Sequence, residues 1–172
     1  IPDEYIDRVF AVMALCPQHT FQVLSKRIER AVEYLAHGVT ASRPEWIEGM
    51  VERAIDEIAG DHGWCSPQFS WPLPNVIIGP TIENQHFATE RGPYVRKLHN
   101  LGWRTMVSYE PALTAIDWRP WLDCIDWLIC GGESGKGRRP FNHEWARSAL
   151  MQARDANQPF FMKQDGAFKS EV

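Results

Sequence analysis

Five short apolar runs recur along this chain, and each breaks off into a charged or amide-bearing turn. TFQVL precedes Ser25, Lys26 and Arg27; NVIIG precedes Thr81, Glu83 and Asn84; TMV precedes Ser108, Tyr109 and Glu110; WLIC precedes Gly131, Gly132, Glu133 and Ser134; PFFM precedes Lys163, Gln164 and Asp165. Several of the stretches between them place apolar residues three and four apart, the period of a helix with one buried face. Strands that alternate with helices and lack polar alternation are buried on both faces, as in a parallel sheet covered by helices. The expected fold is therefore α/β, a parallel sheet of about five strands with alternating helices. Right-handed crossovers carry every strand's C-terminal end to one side, the rim where such folds bind ligands. Five units are too few for an eight-stranded barrel, which leaves a partial TIM-barrel-like sheet or an open doubly wound one.

Local signals fill in the elements. Ile6, Val9, Phe10, Met13 and Ala14 predict a first helix that Pro17 stops, followed by a strand at 20–24 and a helix from about Arg27 to Ala36. A further helix is expected across Trp46 to Ile58, then a long aperiodic loop from Asp61 to Pro74. After NVIIG the pattern predicts a helix from about Gln85 to Asn100, broken or bent at Gly92-Pro93, and a strand WRTMVSY. A helical turn within Asp117 to Leu122, the strand DWLIC, a helix from about His143 to Ala156 and the strand PFFM complete the chain.

At 172 residues the chain suits one domain, 1–172, with a helical and loop insertion at about 40–74. The formal net charge of -4 gives no global basic field, so charge does not indicate nucleic acid. No apolar stretch approaches the roughly 20 residues that span a bilayer, so no membrane partner is expected. Cys16, Cys65, Cys124 and Cys130 form no zinc-ligand spacing and no dense framework, which reads as reduced thiols in a cytoplasmic protein. The eight tryptophans read first as packing anchors. The chain begins Ile1-Pro2-Asp3, as a piece of something longer would.

The chemistry is expected at the rim. Glu83, Glu110 and Glu133 follow three successive strands at a similar offset, and Lys26 and Lys163 follow the first and last. These five are the candidate catalytic residues. Grouped carboxylates can hold a hard cation, or one of them can act as a general acid or base; the plainer reading is a ring of salt bridges. Ser25, Arg27, Thr81, Asn84, Ser108, Gly131, Gly132, Ser134, Gly135 and Gln164 are the candidate ligand-binding residues, suited to a small polar or anionic ligand. The run GGESGKG can turn N–H groups toward an anion but matches no P-loop, and its plainer reading is a tight turn with Arg138 and Arg139 as solvated charge. Cys130 reads as a small buried residue before a nucleophile. No metal ligand set is assigned.

At TFQVLSKR, PLPNVIIGPTIENQ, SYEPAL, IDWLICGGESGKGRRP and PFFMKQDG the chain resembles a bacterial and phage family of unknown function, the three-cysteine-motif phage proteins. That resemblance implies a partial TIM-type barrel of the radical S-adenosylmethionine kind, with a [4Fe–4S] cluster and S-adenosylmethionine bound in a full-length protein. It places Ser25 to Arg27, Thr81, Glu83, Ser108, Glu110, Gly131 to Gly135, Lys163 and Gln164 at the barrel mouth. The three-cysteine motif itself does not occur here, and the units bearing it are expected before Ile1, so no cofactor is expected in this chain. Rival readings are a cluster-free enzyme using a divalent cation, and a non-enzymatic interaction module whose open strand edges would suit a homo-oligomer.

Overall fold

The computed structural model of the chain describes residues 1–36, 49, 50, 53 and 70–165. Their order is α1 (Asp3–Leu15), β1 (Phe21–Leu24), α2 (Ile28–Ala36), β2 (Val76–Gly79), α3 (Gln85–Asn100), β3 (Arg104–Tyr109), a 3₁₀ turn (Leu122–Cys124), β4 (Trp127–Gly131), α4 (His143–Asp155) and β5 (Phe160–Gln164). All five strands pair in parallel, in the chain order β1-β2-β3-β4-β5. The α/β fold expected from the alternation is thus the fold observed. Most of the helix expected across Trp46 to Ile58 and of the Asp61 to Pro74 loop lies outside the described residues; Gly49, Met50 and Arg53 are helical.

Alternation along each strand sorts the side chains onto two faces. Phe21, Val23, Val76 and Ile78 pack with α1, α2, Leu98 and Trp103, while Val107, Tyr109, Leu128 and Cys130 pack with α3 and α4. The opposite face carries a smaller cluster of strand residues, Ile77, Met106 and Ile129, with Trp127 against it. The four described helices α1 to α4 therefore contribute to the clusters on one side of the sheet. The three inner strands are largely buried, as predicted, but β1 and β5 are not: Leu24 and Phe161 are 48% and 49% exposed. They are the outer strands of the order, so each has a neighbour on one side only.

Two local expectations are corrected. α3 runs through Pro93 without ending. A proline removes one ladder hydrogen bond, and here Ala88, Val95 and Leu98 anchor the helix on both sides of it, with Gly92 pressed on the Trp121 indole. The helical turn expected within Asp117 to Leu122 is present, with the Trp121 and Leu122 N–H groups donating to the Trp118 carbonyl at 2.8 and 3.1 Å, and it runs on into the 3₁₀ turn Leu122–Cys124, while the Trp118 N–H donates to Gln152 Oε1 at 2.7 Å. β5 extends through Lys163 and Gln164, since pairing with Gly131 continues the ladder past the apolar run.

Gly79 ends β2 where the sheet leaves no room for a side chain. A Cβ there would lie 1.6 Å from the Met106 carbonyl oxygen, a backbone atom of β3 that cannot swing aside. Overpacking typically costs about 1–3 kcal/mol when side chains can adjust. Gly79→Ala is expected to exceed that range and lower the urea midpoint of unfolding, whereas Gly135→Ala, with open space around its Cβ, should cost about 1 kcal/mol through its positive φ alone.

Candidate functional site

The segments that follow the five strands are tied to one another by backbone hydrogen bonds. Ser25 N–H donates to the Gly79 carbonyl (3.0 Å), Ile82 N–H to Ser108 (2.8 Å), Ala112 N–H to Gly131 (2.9 Å) and Gly132 N–H to Gln164 (2.9 Å). Leu113 N–H reaches the Glu83 carbonyl at 2.9 Å. The residues singled out at strand ends therefore do share one rim, which the parallel topology imposes. Within it the three glutamates occupy three different environments.

Glu83 is buried, at 7% exposure. Its carboxylate accepts from Thr81 Oγ1 at 2.9 Å and from Arg91 at 3.1 Å, and Lys26 stands 3.7 Å away with its side chain 72% exposed. Arg91 also donates to the Thr81 carbonyl at 2.7 Å and lies 4.0 Å from the Phe87 ring centroid. Asn84 caps α3 by accepting from Phe87 N–H at 3.1 Å, which fixes the start of the helix that delivers Arg91. Arg91 was not among the predicted residues; the sign that could have shown it is a basic residue two turns into a helix whose cap adjoins an acidic strand end.

Glu133 belongs to the loop after β4, where Gly135 and Gly137 take φ of 101° and 82°, the left-handed region that glycine tolerates. Arg139 grips its carboxylate with two side-chain donors at 2.7 and 2.8 Å and with its backbone N–H at 2.9 Å. Those bonds hold Glu133 down at about 2. Arg139 is raised in return, first by its hydrogen bond to Glu133 and to a smaller degree by the charge of Glu83. Arg139 is exposed, as its plainer reading has it, and is also paired: a bidentate partner six residues away closes the glycine loop. Ser134 and Gly135 are exposed on that loop, and Arg27 is exposed beside β1.

Glu110 is the carboxylate that meets open space. Lys163 approaches it at 3.2 Å, and Ser108 Oγ donates to it at 2.9 Å. Its side chain is 16% exposed against 54% for Lys163. Gly131 makes this possible, because a Cβ there would fall 2.6 Å from Glu110 Oε1. Gln164 bonds the Gly132 carbonyl at 3.0 Å and so fixes the end of β5 beside this group. Ser108, Glu110 and Lys163 line one cavity of about 320 Å³ with Gln22, Leu24, Met106, Trp127, Ile129 and Phe161, on the sheet face opposite the helices. Of these only Ser108, Glu110 and Lys163 were predicted; the period-two alternation of Gln22 with Leu24, Trp127 with Ile129 and Phe161 with Lys163 carried the rest.

A family model described as a protein of unknown function, DUF5131, matches residues 1–172. The chain belongs to the DUF5131 family. Neither a curated protein nor a solved structure matches it. Among the described residues of this DUF5131 chain, no group of three or more His, Cys, Asp or Glu side chains gathers as a metal site requires. The glutamates stand in separate ion pairs, which does not favour a cation held jointly by all three. The described cysteines do not suit an iron–sulfur cluster either. Cys16 follows α1, while Cys124 and Cys130 are buried among apolar side chains, their thiols pushed up by burial to about 11 and about 12. Cys130 is thus a packing residue and not an activated nucleophile.

Two predictions follow from these environments. Removing one partner of a buried ion pair costs about 3–5 kcal/mol and removing an exposed one under about 1 kcal/mol, so Arg91→Met should lower the urea midpoint strongly and Lys26→Ala scarcely at all. The buried thiols set an alkaline limit, because both titrate near 9.0 when unfolded and well above it when folded. Their contribution is fully present below pH 9 and is lost as pH rises through the folded values. Unfolding midpoints are expected to stay level to about pH 8.5 and to be lower at about pH 10.5.

Proposed function

We propose that this DUF5131 chain binds a small polar or anionic ligand at its strand-end rim, with Glu110 and Lys163 as the residues that meet it. The observation that carries this reading is the Glu110–Lys163 pair, 3.2 Å apart, at the edge of a cavity of about 320 Å³ lined from four strands. A volume of that size falls at the lower end of the range for small-molecule sites, about 300–1,000 Å³. An ammonium and a carboxylate side by side offer a ligand both a donor and an acceptor, and Ser108 adds a hydroxyl that can turn either way. If the chain is an enzyme, Glu110 is the group placed to accept or return a proton, with Lys163 steadying the charge that develops.

The other rim residues serve this pair in the proposal. Glu83 and Thr81, locked by Arg91, hold β2 and α3 in place; Glu133 and Arg139 hold the glycine loop; Lys26 and Arg27 add positive charge at the β1 end. A radical S-adenosylmethionine-like relationship, in a phage or bacterial setting, draws support from the IDWLICGGESG run and from the sequential parallel sheet. The described cysteines do not fit the cluster that such chemistry needs, so no step of the proposal passes through it. Cytoplasmic residence accords with the free thiols Cys16, Cys124 and Cys130, and no described helix is long and apolar enough to cross a membrane.

The test is an amide-shift titration of the full chain with acetate, inorganic phosphate and glycine. Saturable shifts at Ser108, Glu110, Lys163 and Gln164 are expected for at least one of them, with affinity reduced about tenfold, or about 1.4 kcal/mol, by Lys163→Met or Glu110→Gln. Glu133→Gln should leave it within about twofold, since its partner is Arg139. Shifts spread evenly over the surface, or none at the rim, would overturn the reading.

A further inference from the structure

We infer that the ligand class is an aromatic anion, a flat apolar ring bearing a carboxylate or phosphate, seated lengthwise on the sheet face opposite the helices. This rests on the rim reading above and gives that site its substrate class. The lining side chains form rows across the sheet, set by the register. Gln22, level with Ile77 and Arg104, forms the deepest row; Met106 pairs with Trp127, Ser108 with Ile129, and Ile129 with Phe161, so Met106 and Trp127 form the next row and Ser108, Ile129 and Phe161 the one above it. Glu110, Gly131 and Lys163 follow at the rim. Above the Gln22 amide, polarity rises along one direction, from an indole and a thioether to the ion pair at the rim.

The dimensions match a small ring with one charged arm. Parallel strands rise about 3.3 Å per residue, so about 7 Å separates Lys163 from Phe161 along β5, and about 13 Å separates the rim row from the Trp127 row. Trp127 and Phe161 stand with ring centroids 6.2 Å apart and planes tilted by 54°, an aromatic corner against which a third ring can pack in an offset or edge-on manner. Phe161 is half exposed although apolar, and Met106, with a thioether that favours aromatic neighbours, floors the corner. Gly131 contributes no side chain to the rim row, and the Glu110 carboxylate takes up the space that a Cβ there would fill.

Charge selects the anion. Glu110 is largely covered and already bonded by the Ser108 hydroxyl and the Lys163 ammonium, whereas Lys163 is the more exposed partner. An ammonium has three N–H donors, and the Glu110 oxygens are its contacts among the described residues. An incoming carboxylate or phosphate can add to it without breaking the pair. A cationic ligand would have to displace Lys163 from Glu110.

The probes are indole-3-acetate, its neutral analogue indole-3-acetamide, and acetate, titrated into the full chain by calorimetry and amide shifts. Indole-3-acetate is expected to bind about tenfold more tightly than the amide, the worth of one charge-assisted hydrogen bond. Lys163→Met should abolish that difference, and Phe161→Ala should weaken both indoles by a similar factor. Both positions are half exposed, and circular dichroism checks that the variants stay folded. Equal binding of acid and amide, or acetate binding as tightly as indole-3-acetate, overturns the inference. Rim shifts with acetate but none with either indole also overturn it while the rim reading stands. Silence with all three probes, and with phosphate and glycine, removes both.

Discussion

The five strands pair in the order in which they occur along the chain, and the described helices pack onto one face of the sheet they form. Everything distinctive about the molecule descends from this. The strand side chains pointing at the helices become the main core, where Val107, Leu128, Val76 and Ile78 are almost completely buried. Those pointing the other way are left to Ile77, Met106 and Ile129 and to a cavity. The strand ends meet at one rim, where side chains as distant in sequence as Glu110 and Lys163 come within 3.2 Å.

Burial divides the rim's charges into different kinds. Glu83 and Arg91 are deep enough that each depends on the other, and Thr81 ties into the pair, its hydroxyl donating to Glu83 and its carbonyl accepting from Arg91. Such a network orients elements and has little freedom to answer a ligand. Glu133 and Arg139 form a strong but solvated clasp, whose two-point geometry fixes the loop after β4. Glu110 lies between these extremes, covered enough for its field to matter and open enough to be reached. That intermediate burial marks it out from the other two carboxylates.

Much of the sheet was legible because the strands are short apolar runs closed by turn chemistry, and because helices fill the intervals with a different period. The rim followed from topology, so Ser108, Glu110 and Lys163 could be placed together before their contacts were known. Pairing was not legible. A separation of 53 residues between Glu110 and Lys163 carries no local signal, and Arg91, the buried partner of Glu83, sits two turns inside a helix. β5 was read too short because Lys163 and Gln164 look like turn residues, whereas a polar residue at a strand end can face a cavity and keep its ladder bonds. The glycines at 79 and 131 were equally silent: each is needed for what another strand brings close to it, a carbonyl in one case and a carboxylate in the other.

The neighbour-to-neighbour ladder also bears on how the chain reaches its native state. Met106 meets Trp127 across 21 positions, Ile77 meets Arg104 across 27 and Leu128 meets Phe160 across 32, but Phe21 must find Val76 across 55. Closing the longest of these loops in place of the shortest adds about 1 kcal/mol of entropy. Assembly is therefore favoured from the middle outward, β3 joining β4 early and β1 docking late. The α1–β1–α2 unit is correspondingly the portion to come away first when the molecule opens below its global unfolding threshold.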